Sequence, residues 1–226
     1  MNQLSQNMAS IAPQGYTLGC AEGREPQLLG GIYRDDVNIA IWHRKLGKTL
    51  SQAADSILDQ FPALKISLIA PPEAIYPAIV KELGSSIESK ALAQDIAYLA
   101  DIYSCLFGCS RIVLRLSALD RAMCPRFHVD RVPCRLVTTY QGTATEWLPH
   151  MFADRTKLGV GNQGQPDEQS GLFNSVNDIQ HLGHGDVALL KGESWQGNEG
   201  NGLIHRSPQL DGDIRRLLLT FDFLED

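Results

Sequence analysis

Between Ser86 and Cys109 the apolar residues Ile87, Leu92, Ile96, Leu99, Tyr103 and Leu106 recur at helical spacing. They form one stripe of an amphipathic helix that needs a sheet to cover it. Past that point the period changes. Arg111–Leu116 (RIVLRL), Arg126–Asp130 (RFHVD), Arg135–Tyr140 (RLVTTY), Asp186–Leu190 (DVALL) and Arg216–Phe223 (RLLLTFDF) are short, β-branched or alternating, with turn residues between them. Such a run predicts a sandwich, jelly roll or barrel. Upstream, Asn38–His43 and Ile66–Ala70 read as strands, the second ended by Pro71 and Pro72, and Thr49 is a candidate cap for a helix from Leu50 toward Phe61. Residues 1–30 are rich in Gln, Ser, Gly and Pro without period and read as a loose arm. The Gly-, Gln-, Asn- and Asp-rich stretch 153–175 reads as a long mobile loop of the kind that forms lids. The expectation is an α+β protein: an arm (1–30), a mixed helical and strand part (31–110) that packs on the barrel, and the barrel itself (111–226) with helices on one face.

Charge narrows the partners. The net charge of −6 argues against a nucleic-acid backbone, which demands clustered cations. Basic residues do gather from Arg111 to Arg135, with Arg115, Arg121, Arg126 and Arg131 between them, and this suits a small anionic ligand better than a duplex. No stretch reaches the ~18 apolar residues of a membrane span, and Met1–Gln14 lacks the basic start and apolar run of a signal peptide, so a cytoplasmic location is expected. Five cysteines, an odd number, fit a reducing compartment.

The strongest candidate chemistry is a metal site. His128 and Asp130 are two apart in a segment that reads as a strand, where period-2 geometry turns both side chains to one face. His205 lies further on, in GLIHRSP. Two imidazoles and one carboxylate on a triangular face suit Fe(II) and leave three coordination positions open. The H-x-D motif is weak by itself, since His184-Gly185-Asp186 matches it too, but that match reads as a turn opening a strand. Order strengthens the first: H-x-D, a long loop, a G-D strand, a lone His, then Arg215 and Arg216 at the start of the last strand. A guanidinium there can pair bidentately with a carboxylate of a metal-bound ligand. Neighbours on a strand face opposite ways, so only one arginine points inward; Arg216, in phase with Leu218 and Thr220, is the favoured one.

Other polar residues have plainer explanations. His43, His150 and His181 read as structural histidines, as does His184 despite its place near the barrel mouth. Cys124 and Cys134 flank the His-Asp pair, and Cys105 with Cys109 form a C-x3-C at a helix end, but neither spacing is that of a zinc ribbon and buried free cysteine is common. Trp147 and Trp195 are candidates to wall a substrate pocket or to anchor the barrel ends. GVGNQG does not join a strand to a helix, which disfavours a phosphate loop.

The succession FHVD, RLVTTYQGTATEW, HGDVALLKG, GLIHRSP and RRLLLTFDF resembles the double-stranded β-helix (jelly-roll) core of iron and 2-oxoglutarate-dependent oxygenases over about residues 110–224. Across most of the chain NIAIWHRKL, FHVD and TTYQGTATEWLPH resemble a bacterial family, domain of unknown function 1826. Its members tend to lie near zinc-homeostasis genes, which implies a link to metal limitation. The oxygenase resemblance implies Fe(II) on His128, Asp130 and His205, with 2-oxoglutarate chelating the metal and its far carboxylate meeting Arg216, assisted by Tyr140 or Thr138. The substrate would be a small molecule or peptide. The competing expectation is a non-catalytic Zn(II) protein on the same barrel, a store, sensor or chaperone, with Cys124 or Cys134 near the triad. Oligomeric state leaves no mark in the sequence.

Overall fold

The computed structural model describes residues 18–210, 212 and 215–223. In chain order the strands are β1 (Gly19–Gly23), β2 (Val37–Trp42), β3 (Lys65–Ala70), β4 (Ile112–Leu119), β5 (Cys134–Gln141), β6 (Glu146–Leu148), β7 (Gln180–His181), β8 (Val187–Lys191), β9 (Ile204–Arg206) and β10 (Arg216–Phe223). The helices are α1 (Lys48–Gln60), α2 (Pro72–Leu83) and α3 (Ile87–Phe107). A seven-stranded sheet runs β1-β2-β8-β5-β10-β4-β3, and a three-stranded sheet runs β7-β6-β9. The fold is therefore mixed α/β, built on one large sheet.

The helical stripe does what its spacing predicts. Leu92, Ile96, Leu99 and Tyr103 of α3 are fully buried against the large sheet, in one core with Leu114, Leu116, Leu136, Leu219 and Phe221. Ser86 caps α3 by accepting from the Ser89 amide, and Gly108, at φ 64, ends it in the left-handed conformation that glycine adopts without a Cβ clash. α2 was hidden from a sequence reading by the prolines that mark the end of β3. Pro71 and Pro72 stop the strand and also open the helix, where a missing amide proton costs nothing. Thr49 lies inside α1, whose cap position is Gly47.

β10 is the keystone of the site. It pairs antiparallel with β4 on one side and β5 on the other, so its alternation is locked between two neighbours. Leu217, Leu219 and Phe221 point to the helices. Leu218 points the opposite way, into a second core with Ile41, Val137, Trp147 and Leu190 that fills the space between the two sheets. Arg216, Thr220 and Asp222 share the phase of Leu218.

Three expectations are corrected. The loose arm lies in part outside the described residues, but from Gly19 the chain is not loose: β1 pairs in parallel with β2, and Pro26–Tyr33 forms a 3-10 helix that buries Leu29 and Ile32. Backbone pairing there overrides the polar composition. Arg126–Asp130 is not a strand; His128 alone pairs, across to His205. The stretch 153–175 is not a free loop. It is a chain of 3-10 turns pinned by Leu172 and Phe173, which pack with Phe127, Leu148 and Ile204 on the outer face of the small sheet. Asp167, 4% exposed, fastens it further by accepting from Arg126, Arg206 and the Phe127 amide. Among the described residues no helix is long and apolar enough to cross a membrane.

Candidate metal centre and anion pocket

His128 and His205 face each other across the small sheet's edge. Each donates its amide to the other's carbonyl, at 3.0 and 2.9 Å, the closed rung of an antiparallel pair. Their rings sit 4.6 Å apart. Asp130 reaches the same point: its Oδ2 is 3.4 Å from His205 Nε2 and its Oδ1 3.8 Å from His128 Nε2. One ligand atom from each of the three lies within 4.8 Å of the others, the spacing of donors around a single ion. The backbone also sets the tautomers. Nδ1 of His128 donates to the Arg126 carbonyl (2.9 Å) and Nδ1 of His205 to the Leu203 carbonyl (3.1 Å), so both Nε2 lone pairs are free for a metal.

Asp130 has a charged support. Its Oδ2 accepts from Arg135 Nη1 at 2.7 Å, and Arg135 is gripped from behind by Asp222 through Nε (2.7 Å) and Nη2 (3.0 Å). Arg115 adds a further donor to Asp222. Burial alone would raise the Asp130 carboxyl. When the rings carry a second proton, the hydrogen bond from His205 and the charges of His205, Arg135 and His128 outweigh it and hold the group at about 2. With Oδ2 engaged by Arg135, Oδ1 is the oxygen left for a metal.

Burial, reinforced by neighbouring His205, pushes His128 below its ordinary 6.5 despite the Arg126 carbonyl and Asp130. The unfolded chain therefore takes up this proton first, and stability is lost as pH falls from about 6.5 through the lower folded value. For the metal-free protein, Tm measured across that range should decline toward acid, and His128→Gln should flatten the decline.

Beside the imidazoles a small cavity of about 70 Å³ opens between the sheets, lined by His128, His205, Thr145, Leu190, Leu218 and Arg216 among others. That is room for about two water molecules. Arg216 is 1% exposed. Its hydrogen bonds go to neutral hydroxyls, Thr139 Oγ1 at 3.0 Å and Thr145 Oγ1 at 2.7 Å, and among the described residues no carboxylate pairs with it. Burial pulls its pKa down to about 10. A buried guanidinium without a counter-ion is costly, and one that lines a cavity is a site waiting for an anion.

The structure separates the residues that the sequence grouped. His128, Asp130 and His205 converge, and Arg216 lies on the same side of the large sheet. Arg215 points the other way, to Asp59 and the Leu58 carbonyl of α1. Tyr140 and Thr138 do not reach the cavity. The register between β5 and β10 slips at Tyr140, and the Tyr140 hydroxyl donates to Asp95 of α3 at 2.6 Å, deep in the helical layer, whose face Thr138 shares by strand phase. Thr139, one residue along, takes the role expected of them. Trp147 stands opposite His205 in the β6–β9 pair and packs between the sheets. Trp195 does not; it stacks with Tyr33 and Phe107 on the helical side. Cys134 is buried in the helical core, and Cys124 lines the cavity without joining the ligand set. His184 is held by the Tyr140 carbonyl and His43 by Asp186 and Glu22. Thr139, Thr145, Arg135 and Asp222 were missed, although Asp222 was legible as an acidic residue in phase with Arg216 on a strand whose other face is wholly apolar.

A family described as "Protein of unknown function (DUF1826)" matches residues 23–222. The chain belongs to this family. The matched region of this DUF1826 protein takes in the triad, the Arg135–Asp222 support and Arg216. No curated protein matches it in sequence. Among solved structures, the rice dioxygenase for auxin oxidation aligns with a TM-score of 0.53 at 10% identity, covering 92% of this chain and 83% of that one. A prolyl-4-hydroxylase of Pseudomonas putida gives 0.42 at 11% identity over 84% and 93% of the two chains. A putative 2OG-Fe(II) oxygenase family protein from Caulobacter crescentus gives 0.44 at 13% over 88% and 80%. At such identities the likeness is one of fold, and of these three only the rice enzyme is near enough to argue it.

Proposed function

We propose that this DUF1826 protein is an Fe(II)- and 2-oxoglutarate-dependent dioxygenase acting on a small molecule or peptide. One observation carries the reading: a fully buried Arg216, with no carboxylate partner among the described residues, lines the same cavity as the two imidazoles of a His-Asp-His triad. A metal alone would not call for that cation. A ligand that chelates the metal at one end and ends in a second carboxylate would, and 2-oxoglutarate is such a ligand.

The connectivity supports a double-stranded β-helix. From β4 onward the chain crosses repeatedly between sheets: β4 in the large one, His128 on the edge of the small one, β5 large, β6 and β7 small, β8 large, β9 small, β10 large. Such alternation between two sheets is what a jelly roll would require, and the helices cover the large sheet's outer face.

Each residue has a defined task. His128, Asp130 and His205 would hold the metal, which would supply a site for the cosubstrate and dioxygen. Arg135 fixes Asp130 so that one oxygen faces the metal. Arg216, aimed by Thr139 and Thr145, orients the cosubstrate through its distal carboxylate, and Val137, Leu190 and Leu218 exclude water around it. Bound Fe(II) with 2-oxoglutarate supplies oxidative chemistry, in which cosubstrate decarboxylation accompanies dioxygen reduction and substrate oxidation.

Anaerobic titration of the metal-free protein with Fe(II) and then 2-oxoglutarate tests this. A visible metal-to-ligand charge-transfer band is expected, saturating in 2-oxoglutarate and absent in His128→Ala and Arg216→Ala. Tight Zn(II) binding with no such band would overturn the oxygenase reading in favour of metal handling.

A further inference from the structure

Two cations around the triad lack a carboxylate partner among the described residues. Arg115 and Arg135 are bound to Asp222, Arg126 to Asp167, Arg155 to Glu193, and Arg206 to Glu146, Asp167 and Glu168. Arg216 is the first exception and Arg131 the second. They stand on opposite sides of His128: Arg216 in the enclosed cavity between the sheets, Arg131 in an open cleft of about 620 Å³ on His128's outward side. Arg131 also lines the cleft on the far side of Asp130, so both outer approaches to the triad pass it.

The cleft is built in two halves. Val129, Leu158 and Val160 give it an apolar wall, the last of them fully exposed. Arg131 and Glu193 give it a polar wall, but Glu193 is already neutralised: it accepts from Arg155 (2.9 Å) and from the amides of Gly200 (2.6 Å) and Gly202 (3.1 Å). The uncompensated charge is therefore positive. The backbone that presents Arg131 is fixed. The Gly192 amide donates to the Pro133 carbonyl (2.8 Å), the Glu193 amide to the Asp130 carbonyl (2.9 Å), and the Ser194 hydroxyl to the Arg131 carbonyl. At Gly192 a Cβ would collide with the Val132 carbonyl, so the turn and the ligand loop are zipped without room to spare. A guanidinium on so rigid a mount loses little backbone freedom on binding.

We infer that this cleft is the substrate site and takes a small organic acid, an apolar body lying on Val129, Leu158 and Val160 with its carboxylate on Arg131. The inference rests on the oxygenase reading, in which the inner anion site holds the cosubstrate and leaves the outer face of the metal to the substrate. An anchored carboxylate at Arg131 sets the acid's chain across His128 toward that face.

The test uses the full chain loaded with Zn(II), which is redox-inert, and saturated with 2-oxoglutarate. Three probes share one chain and differ in headgroup: hexanoate, hexan-1-ol and hexylammonium. Methyl NMR signals of Val129, Leu158 and Val160 report binding. Hexanoate should shift them saturably and at least tenfold more tightly than the alcohol or the amine. Arg131→Gln should bring hexanoate down to the level of the alcohol, whereas Arg121→Gln, which lines none of these clefts, should change nothing. Equal binding of the three probes, or hexanoate binding untouched by Arg131→Gln, overturns the inference. The 2-oxoglutarate affinity of the same samples separates the failures. If 2-oxoglutarate binds and hexanoate shows no preference, only the substrate class falls; if neither binds, the oxygenase reading falls with it.

Discussion

Replacing Arg216 with methionine is expected to make the protein more stable while removing its ability to bind 2-oxoglutarate. The side chain is 1% exposed and has no counter-ion among the described residues, and burial depresses its pKa from 12.5 to about 10. A depression of that size corresponds to about 3 kcal/mol of unfavourable desolvation near neutral pH. Methionine keeps the length and the packing against Leu218 without the charge. Thr139 and Thr145 each lose a donor, which costs roughly 1 kcal/mol per hydroxyl left unpaired, so the net gain should be about 1–2 kcal/mol. In a chain of this size each kcal/mol moves Tm by about 2–4 °C, so differential scanning calorimetry should show a rise of several degrees. The binding loss is larger: truncating one partner of a buried charge pair removes about 2–5 kcal/mol, which takes 2-oxoglutarate affinity down by about thirtyfold or more in an anaerobic titration. A fall in Tm would mean that Arg216 is a structural strut, and intact 2-oxoglutarate binding would mean that the anion site lies elsewhere.

The second large effect is expected at Asp222, which touches neither metal nor cosubstrate. It is 3% exposed and holds Arg135 with two hydrogen bonds. Asp222→Asn keeps the shape and deletes the charge, leaving the half-buried Arg135 with Asp130 as its one remaining acid among the described residues. Breaking a buried network in this way destabilises by about 3–5 kcal/mol. Loss of the support behind a metal ligand should weaken Zn(II) or Fe(II) affinity by about 10–100-fold, measured by competition with a chelating indicator. Arg115→Gln is the internal control. Arg115 sits on the solvent side of Asp222 with its side chain 47% exposed, and such pairs contribute about 0–1 kcal/mol. If Asp222→Asn melts early but binds metal normally, the network holds the sheet together and does not position Asp130.

The elements that the sequence revealed are those with one apolar and one polar face. α3 has a packed stripe and an exposed one, and β10, buried on both sides, alternates Leu217, Leu219 and Phe221 with Arg216, Thr220 and Asp222, so their periods survive in the residue order, and with them the inward phase of Arg216. What stayed hidden has physical causes. Pro71 and Pro72 carry two signals at once, a strand end and a helix start, and only the first is visible without the fold. His128 was found as a ligand, but its segment was misread as a strand, because it makes a single bridged pair, too short for a true period. Tyr140 and Thr138 came from the oxygenase resemblance, but they share the helical face of β5, while Thr139, in phase with Val137, faces the cavity and holds Arg216. The loop 153–175 was misread because its polar residues are consumed internally: Asp167 anchors two arginines and an amide, which composition reports as hydrophilicity. Arg135 and Asp222 are far apart in sequence, and their partnership exists only because β5 and β10 are neighbours.

The mutual amide bonds of His128 and His205 bear on when the ordering cost of metal binding is met. Two of the three ligands are rungs of the same ladder, and the third is two residues away, clamped by an arginine that is itself clamped. The conformational entropy of assembling the triad is therefore lost when the chain folds, not when an ion arrives. In small zinc domains the ion supplies the folding free energy; here a core shared by seven strands and three helices does so. An ion bound there would be an exchangeable passenger, its identity set by availability and ligand chemistry more than by any demand of the fold.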